Sequence, residues 1–309
     1  MKGGVRVKII FLGTCGSMPT AERGLPAVAI RRGGETLLFD CGEGTQRQMV
    51  RAGLSPLKLD AIFITHFHGD HFLGLPGLVQ TMSLMRRERK LQIYGPLGTE
   101  EKIRSLLRIP LYTQTFEVKL YELEPGQKLR RGGYWIHTCE LDHGVPTIGY
   151  ALVENERPGR FYPERAEKLG VKPGPDFSRL QAGEKIRLQN GRVVTPEQVM
   201  GPPRPGRKVV YISDTRPSKK VVELAKGADV LIHEATLADD LEDRALESGH
   251  STPKLAAEIA KEAGVRKLIL FHVSSRYLDT SKFLERARKI FPNLALAHDL
   301  MEIEVKLRE

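Results

Sequence analysis

The stretch Thr65-His66-Phe67-His68-Gly69-Asp70-His71 decides the fold. It places three imidazoles and one carboxylate within six residues. Just before it, Asp60–Thr65 is an apolar run bounded by polar residues, which reads as a buried strand. Four adjacent polar side chains ending a buried strand need partners. Imidazole and carboxylate are the usual ligands of zinc and similar ions. In an extended segment His66 and His68 point the same way, whereas Asp70 and His71 start the next turn and reach a second position nearby. One loop can therefore serve two ions. A lone histidine is more often structural, and that is the reading given to His137 and His298.

Two ions roughly 3.5–4 Å apart ask for about six to eight ligands, one of which can bridge. The chain offers three more donors: His143 in Leu141-Asp142-His143-Gly144, Asp214 in Ile212-Ser213-Asp214-Thr215, and His272 in Phe271-His272-Val273-Ser274. The last third repeats one pattern. Lys208–Ser213 runs into Asp214, Asp229–Ile232 into His233, and Lys267–Phe271 into His272. Helices lie between, among them Pro253–Ala263 with Ser251 or Thr252 as its N-cap. This is an α/β pattern, and such sheets gather ligands where loops leave the carboxyl ends of strands. Earlier in the chain, Val7–Leu12, Thr36–Asp40 and Leu91–Tyr94 read as strands. Helices are expected from about Leu78 to Arg87 and from about Thr99 to Leu107.

The 309 residues are 40% hydrophobic, enough for one large domain with a substantial core or a domain plus an insertion. No apolar run approaches the about 18 residues of a membrane span. Met1-Lys2-Gly3-Gly4-Val5-Arg6 lacks the apolar region of a secretory signal, so a cytoplasmic protein is expected. Three cysteines, Cys15, Cys41 and Cys139, lie far apart and read as reduced, buried thiols. A net charge of +10 favours an anionic partner.

Residues 154–208 differ in composition. These 55 residues hold 8 of the 19 prolines and 7 glycines, with 12 Lys+Arg against 7 Asp+Glu, and so read as an inserted arm rather than core. A long excursion of this kind is usually functional or mobile.

His-x-His-x-Asp-His, with a later His, Asp and His, resembles the metallo-β-lactamase superfamily. The resemblance spans nearly the whole chain and implies an α/β fold, an αβ/βα four-layer sandwich with the metals at one edge of two sheets. It implies that His66, His68 and His143 hold one divalent ion, that Asp70, His71 and His272 hold another, and that Asp214 bridges them. Zinc is the first choice of metal, although the ligands also admit manganese, cobalt or iron.

The superfamily motif does not fix a substrate. Leu37-Leu38-Phe39-Asp40-Cys41-Gly42-Glu43-Gly44-Thr45-Gln46, Ser213-Asp214-Thr215-Arg216-Pro217, His233-Glu234-Ala235-Thr236, Gly249-His250-Ser251-Thr252 and Phe271-His272-x-Ser274-x-Arg276-Tyr277 together resemble ribonuclease Z, the tRNA 3′ endonuclease family. The resemblance implies that residues 154–208 are a flexible arm that grips precursor tRNA away from the cut. Gly174-Pro175 matches the arm's Gly-Pro signature. It also implies a homodimer. Asp70 would accept the proton of the attacking water. His250 is the candidate proton donor to the leaving 3′-oxygen, with Glu234 orienting it. The products would be a tRNA 3′-hydroxyl and a trailer 5′-phosphate. Arg276, four residues past His272, is a candidate substrate contact, and Arg23 is another. The family's Pro-x-Lys-x-Arg-Asn segment is here Pro19-Thr20-Ala21-Glu22-Arg23-Gly24, so a cation and an amide are missing. That departure bears on the position of the cut.

Two other readings compete. One is a hydrolase of the same fold acting on small phosphodiesters or esters, which needs no long basic arm. The other is a non-catalytic RNA-binding scaffold, which need not retain metal ligands.

Overall fold

Side-chain alternation sorts this chain into layers. Along β1 (Val7–Gly13), Val7, Ile9 and Phe11 fall on one face and Ile10 and Leu12 on the other, and all five are buried. A strand that is apolar on both faces must be covered on both. The computed structural model describes residues 5–308, so the reading of Met1–Gly4 as a start without a leader lies outside the described residues.

The chain divides into two compact units, residues 1–153 with 208–306, and residues 154–207 with 307–309. In the first unit, β1 joins β2 (Ala27–Arg32), β3 (Glu35–Phe39), β4 (Leu59–Phe63), β5 (Leu91–Gly95) and β6 (Val118–Glu122). A second set comprises β7 (Lys128–Arg131), β8 (Tyr134–Glu140), β9 (Ile148–Glu154), β10 (Lys208–Ile212), β11 (Val230–Glu234), β12 (Leu268–Phe271) and β13 (Leu294–Leu296). The last strand, β14 (Glu302–Val305), returns to the first sheet. The two seven-stranded sheets run β14-β1-β2-β3-β4-β5-β6 and β13-β12-β11-β10-β9-β8-β7. β3 to β6 are mutually parallel, as are β10 to β13.

Between the sheets lies an aromatic-rich core that includes Phe11, Phe39, Phe63, Tyr150, Tyr211 and Phe271. Phe39 and Phe63 stack at 5.1 Å. The outer face of the first sheet packs Leu38, Ile62 and Ile64 against Met49, Leu78 and Met82. The outer face of the second packs Val210, Leu231 and Leu270 against Val221, Ala256 and Ala260. The result is the four-layer αβ/βα sandwich.

The helix at Thr99–Leu107 coincides with its sequence reading. Thr252 caps Pro253–Glu262 by accepting from Leu255 N. The helix expected at 78–87 instead spans Leu75–Leu84. The run expected to stop before His233 continues through Glu234, and β6 to β9 have no counterpart in the sequence reading. Among the described residues no helix is long and apolar enough to cross a membrane.

The second unit has a core of its own: Ala166, Val171, Leu180, Ile186, Val194 and Val199 are buried together. Three short helices, Pro163–Lys168, Pro175–Gln181 and Pro196–Val199, each open on a proline, whose fixed φ suits the first turn. A two-stranded ribbon pairs Ile186–Arg187 with Val193–Val194. Arg207 Nε and Nη2 donate to the two oxygens of Glu154 at 2.6 and 2.8 Å, clasping the ends of the unit. Residues 154–207 are therefore a folded unit with helices and a ribbon, while Lys208 belongs to β10.

Candidate metal centre

The parallel strands of each sheet end on one edge, and their loops carry the chemistry. β4 gives way to Thr65, His66, Phe67 and His68, and a single helical turn, Gly69–Phe72, follows. Asp214 follows β10 and His272 follows β12. His143 sits between β8 and β9, and is buried.

Two donor groups carry the expected ligands: His66, His68, His143 and Asp214 form one, and Asp70, His71 and His272 form the other, while a third, overlapping set joins Asp214 to His250 and His272. In the first, His68 Nδ1 lies 3.0 Å from His66 Nε2 and 3.1 Å from His143 Nε2. In the second, His71 Nε2 and His272 Nε2 are 3.2 Å apart, and Asp70 Oδ2 is 3.4 Å from the former and 3.5 Å from the latter. Asp214 Oδ1 lies 3.1 Å from His272 Nε2, while Oδ2 lies 3.5 Å from His143 Nε2. One carboxylate thus faces both groups.

Outer hydrogen bonds fix which nitrogen of each ring points inward. His71 Nδ1 donates to Asp40 Oδ2 at 2.9 Å. His66 Nδ1 donates to Thr65 Oγ1 at 3.0 Å, and that hydroxyl donates to Asp40. His143 Nδ1 donates to Gly249 O at 2.7 Å. His272 Nδ1 donates to Thr236 Oγ1 at 2.8 Å, whose own proton goes to Glu234. With these nitrogens committed, each Nε2 presents a lone pair to the interior, the arrangement that prepares an imidazole for a cation. Lone pairs facing one another at about 3 Å repel, so the chemistry of the donor set fits divalent metal.

The electrostatics divide the rings. Burial opposes charge on His71, yet Asp214 and Asp40 hold its pKa well above the ordinary imidazole value, so a metal ion would have to displace a proton from its Nε2. Burial and His71 push His66 well below it. Asp214 stays ionised against its burial because His272 and His71 surround it. Burial also works against His250, but Glu234 raises its pKa to about 9.

A cleft of about 510 Å³ opens over the centre, lined by Asp70, His68, His143, Asp214 and His250 among others. His250 Nδ1 lies 3.1 Å from Glu234 Oε1, which leaves Nε2 as the nitrogen available to a bound molecule. Glu234 is fully buried and also accepts from the backbone amides of Thr215, Thr236 and Ser251. It therefore orders three loops besides touching His250. His233, one residue earlier, is not brought to the site; its Nδ1 turns to Glu234 O.

Sequence reasoning missed several participants. Asp40 is fully buried in a left-handed backbone conformation (φ 56°) and accepts from Thr65 N, His71 and Tyr211 Oη. His272 shares that conformation, with φ 59°. Such non-glycine residues are uncommon and gather at functional sites. Asp40 stood only within a motif, and nothing local marks Tyr211. Glu43, Ser17 and Ser248 also line the cleft.

The proposed substrate contacts are scattered. Arg23 Nη1 donates to Thr14 Oγ1 and Ala297 O at 2.9 and 2.8 Å, so this nitrogen supports the fold. Gly24 N donates to Asp299, and Pro19 lines the cleft. Arg276 is exposed, with Nε on Ser274 Oγ at 3.2 Å. Gly174 and Pro175 are exposed at the start of a helix in the second unit. In the basic run 86–90, Arg87 is buried and donates to the carbonyls of Pro56, Leu57, Leu59, Arg89 and Lys90, while Arg86, Arg89 and Lys90 are exposed.

Comparison with known proteins places this geometry. Residues 24–151 match the metallo-beta-lactamase superfamily and residues 188–273 a beta-lactamase superfamily domain. The chain is 50% identical to the ribonuclease Z of Methanosarcina acetivorans over 98% of its own length and 99% of that protein. It is 48% identical to the ribonuclease Z of Archaeoglobus fulgidus over 98% and 99%. The crystal structure of human tRNase Z, short form, superposes with a TM-score of 0.72 at 30% identity, covering 97% of this chain and all of that one.

Proposed function

As a member of the ribonuclease Z family of metallo-β-lactamase-fold hydrolases, the chain is a tRNA 3′-processing endoribonuclease, and we propose that it makes its cut at a centre of two divalent ions. The observation that carries this reading is Asp214, whose two oxygens face different donor groups. His66 Nε2, His68 Nδ1 and His143 Nε2 hold one ion, and Asp70, His71 Nε2 and His272 Nε2 the other. Three imidazoles beside carboxylates suit zinc. When bound, the ions neutralise the scissile phosphate and make a water acidic near neutral pH.

The chain's own residues do the rest. Ser17 N donates to Asp70 Oδ2 at 2.7 Å and fixes that carboxylate at the floor of the cleft. Asp70 takes the proton of the attacking water. His250 enters the reaction protonated, because Glu234 favours its charged form, and Nε2 gives a proton to the leaving 3′-oxygen. The products are a tRNA with a 3′-hydroxyl and a trailer with a 5′-phosphate.

Residues 154–207 are the arm that holds the body of the tRNA, with Gly174 and Pro175 among its contacts, and Arg23 and Arg276 bear on the RNA near the cut. The family reading further makes the protein a cytoplasmic homodimer.

The test is to incubate metal-loaded protein with a 3′-extended precursor tRNA and map the new ends, with Asp70→Ala as control. A single chelator-sensitive cut near the discriminator base, lost in the variant, supports the reading. Turnover of a small phosphodiester without any cut in precursor tRNA would overturn the substrate.

A further inference from the structure

One wall of the cleft over the donor groups is a loop. Residues 17–26 carry neither helix nor strand, and Ser17, Pro19 and Leu25 line the cleft. The chain enters this loop through Gly16, so close to His272 that a Cβ there would stand 2.5 Å from the ring. Ser17 is left-handed at φ 63°, and its N–H meets Asp70 Oδ2 at 2.7 Å. Where this wall stands therefore decides how a substrate meets Asp70.

The anchor of the wall comes from the far end of the sequence. Asp299 is half-buried between β13 and β14. Its Oδ1 accepts from Thr14 Oγ1 at 2.8 Å, and its Oδ2 accepts from Gly24 N at 2.7 Å and Gln48 Nε2 at 2.6 Å. Thr14 follows β1, Gly24 lies near the end of the loop, and Gln48 belongs to the helix Thr45–Arg51. An ionised carboxylate is an acceptor with room for several donors, so one side chain can serve all three. Arg23 Nη1 reinforces the join by donating to Thr14 Oγ1 and Ala297 O. The turn that carries Asp299 is itself held, since Ala297 N donates to Leu270 O at 2.7 Å and Leu300 N to Phe11 O at 2.6 Å. The fit is close: a Cβ on Gly24 would stand 3.3 Å from Asp299 Oδ2.

Neither Asp299 nor any of these three donors lines the cleft, so the carboxylate acts through the loop. We infer that Asp299 is a positioning residue for the cut. It fixes the height of the wall Ser17–Leu25, and thereby selects which phosphodiester bond of the RNA lies beside Asp70 and His250. The inference rests on the reading of the chain as a precursor-tRNA endonuclease. Without the carboxylate, donors from three separate segments lose their common acceptor and the wall is free to shift. A support left about 1 Å loose is enough to misplace a reacting group.

The experiment maps the ends cut from a 3′-extended precursor tRNA by the metal-loaded full chain and by Asp299→Ala, Asp299→Asn and Thr14→Val. In single-turnover kinetics Asp299→Ala should cut the wild-type bond roughly 10–100-fold more slowly. New cuts should appear at adjacent bonds, with bound metal unchanged. Thr14→Val deletes only the donor to Oδ1 and should spread the cuts less; it decides the matter where Asp299→Ala fails to fold. Asp299→Asn keeps the shape and one acceptor oxygen and should restore the single cut. A carboxylate that merely supports the fold would lower the melting temperature of the Ala and Val variants and leave the cut at one bond, which would overturn the inference. A slower cut that tracks lost metal, with no new bond broken, would overturn it too. Failure of the underlying reading looks different, for then the wild-type chain itself makes no cut in precursor tRNA.

Discussion

Gly249 lies directly beneath His143: its carbonyl accepts the His143 Nδ1 proton at 2.7 Å, and a Cβ placed on it would stand 2.8 Å from that same nitrogen. Gly249 is also left-handed, at φ 81°. Gly249→Ala should therefore strain the backbone by about 1–3 kcal/mol and turn His143 off its ligand direction. Metal analysis should show a roughly 10–100-fold weaker affinity, the usual effect of losing an outer partner. A variant that binds metal and cuts RNA normally would remove Gly249 from the centre.

Asp40 gathers Thr65, His71 and Tyr211, so Asp40→Asn keeps the shape but loses a charge. We expect metal affinity to fall about 10–100-fold. Calorimetry with zinc reads this directly. Full retention of affinity would show that the carboxylate serves packing alone.

Asp214 and Asp70 should separate by stoichiometry. Asp214→Ala removes the carboxylate that faces both groups, so bound metal should approach zero. Asp70→Ala spares His66, His68 and His143, and should keep up to one equivalent while losing the cut. Equal metal loss in both would argue against a shared carboxylate.

His250→Ala should slow the cut by roughly 10²–10⁴-fold with metal content unchanged, as expected for a proton donor. Single-turnover kinetics on a precursor tRNA separates this from weaker binding. An unchanged rate would take His250 out of the reaction.

The three thiols should be silent in the folded state. Burial raises Cys15 to about 11 and Cys41 and Cys139 to about 12. A thiol reagent at pH 8 should find almost none in native protein and three after unfolding. The folded chain keeps thiol protons that the unfolded chain loses above about pH 9. Stability should therefore fall as pH rises from about 9 toward 12, which melting curves would follow.

How far the sequence was legible follows from where each partner lies. Apart from His143, the histidines and aspartates that form the donor groups cluster in sequence or end apolar runs, so chemistry marks them locally. Asp40, Tyr211, Thr236 and Gly249 act only through contacts made by the folded sheets, and no spacing connects them. β6 escaped because its pattern at a sheet edge is only half buried. In 154–207 the six buried core residues are spread irregularly among prolines and glycines, so neither helical nor strand periodicity emerges. Arg87 stands among charged neighbours with nothing local to mark burial; five backbone carbonyls that only tertiary structure assembles draw it inside.

The donor atoms come from both sheets, and that origin ties occupancy to assembly. His66, His68, Asp70 and His71 follow β4 of one sheet, while Asp214 and His272 follow strands of the other. A ribosome delivers the first four long before His272, so a nascent chain holds a fragment of a centre that cannot close. Once both sheets are packed, metal bound at the proposed centre would rivet them together. By mass action, metal present at about a thousand times its dissociation constant adds roughly 4 kcal/mol per site to the folded state. Starving this protein of metal would thus shorten the life of the molecule as well as idle it.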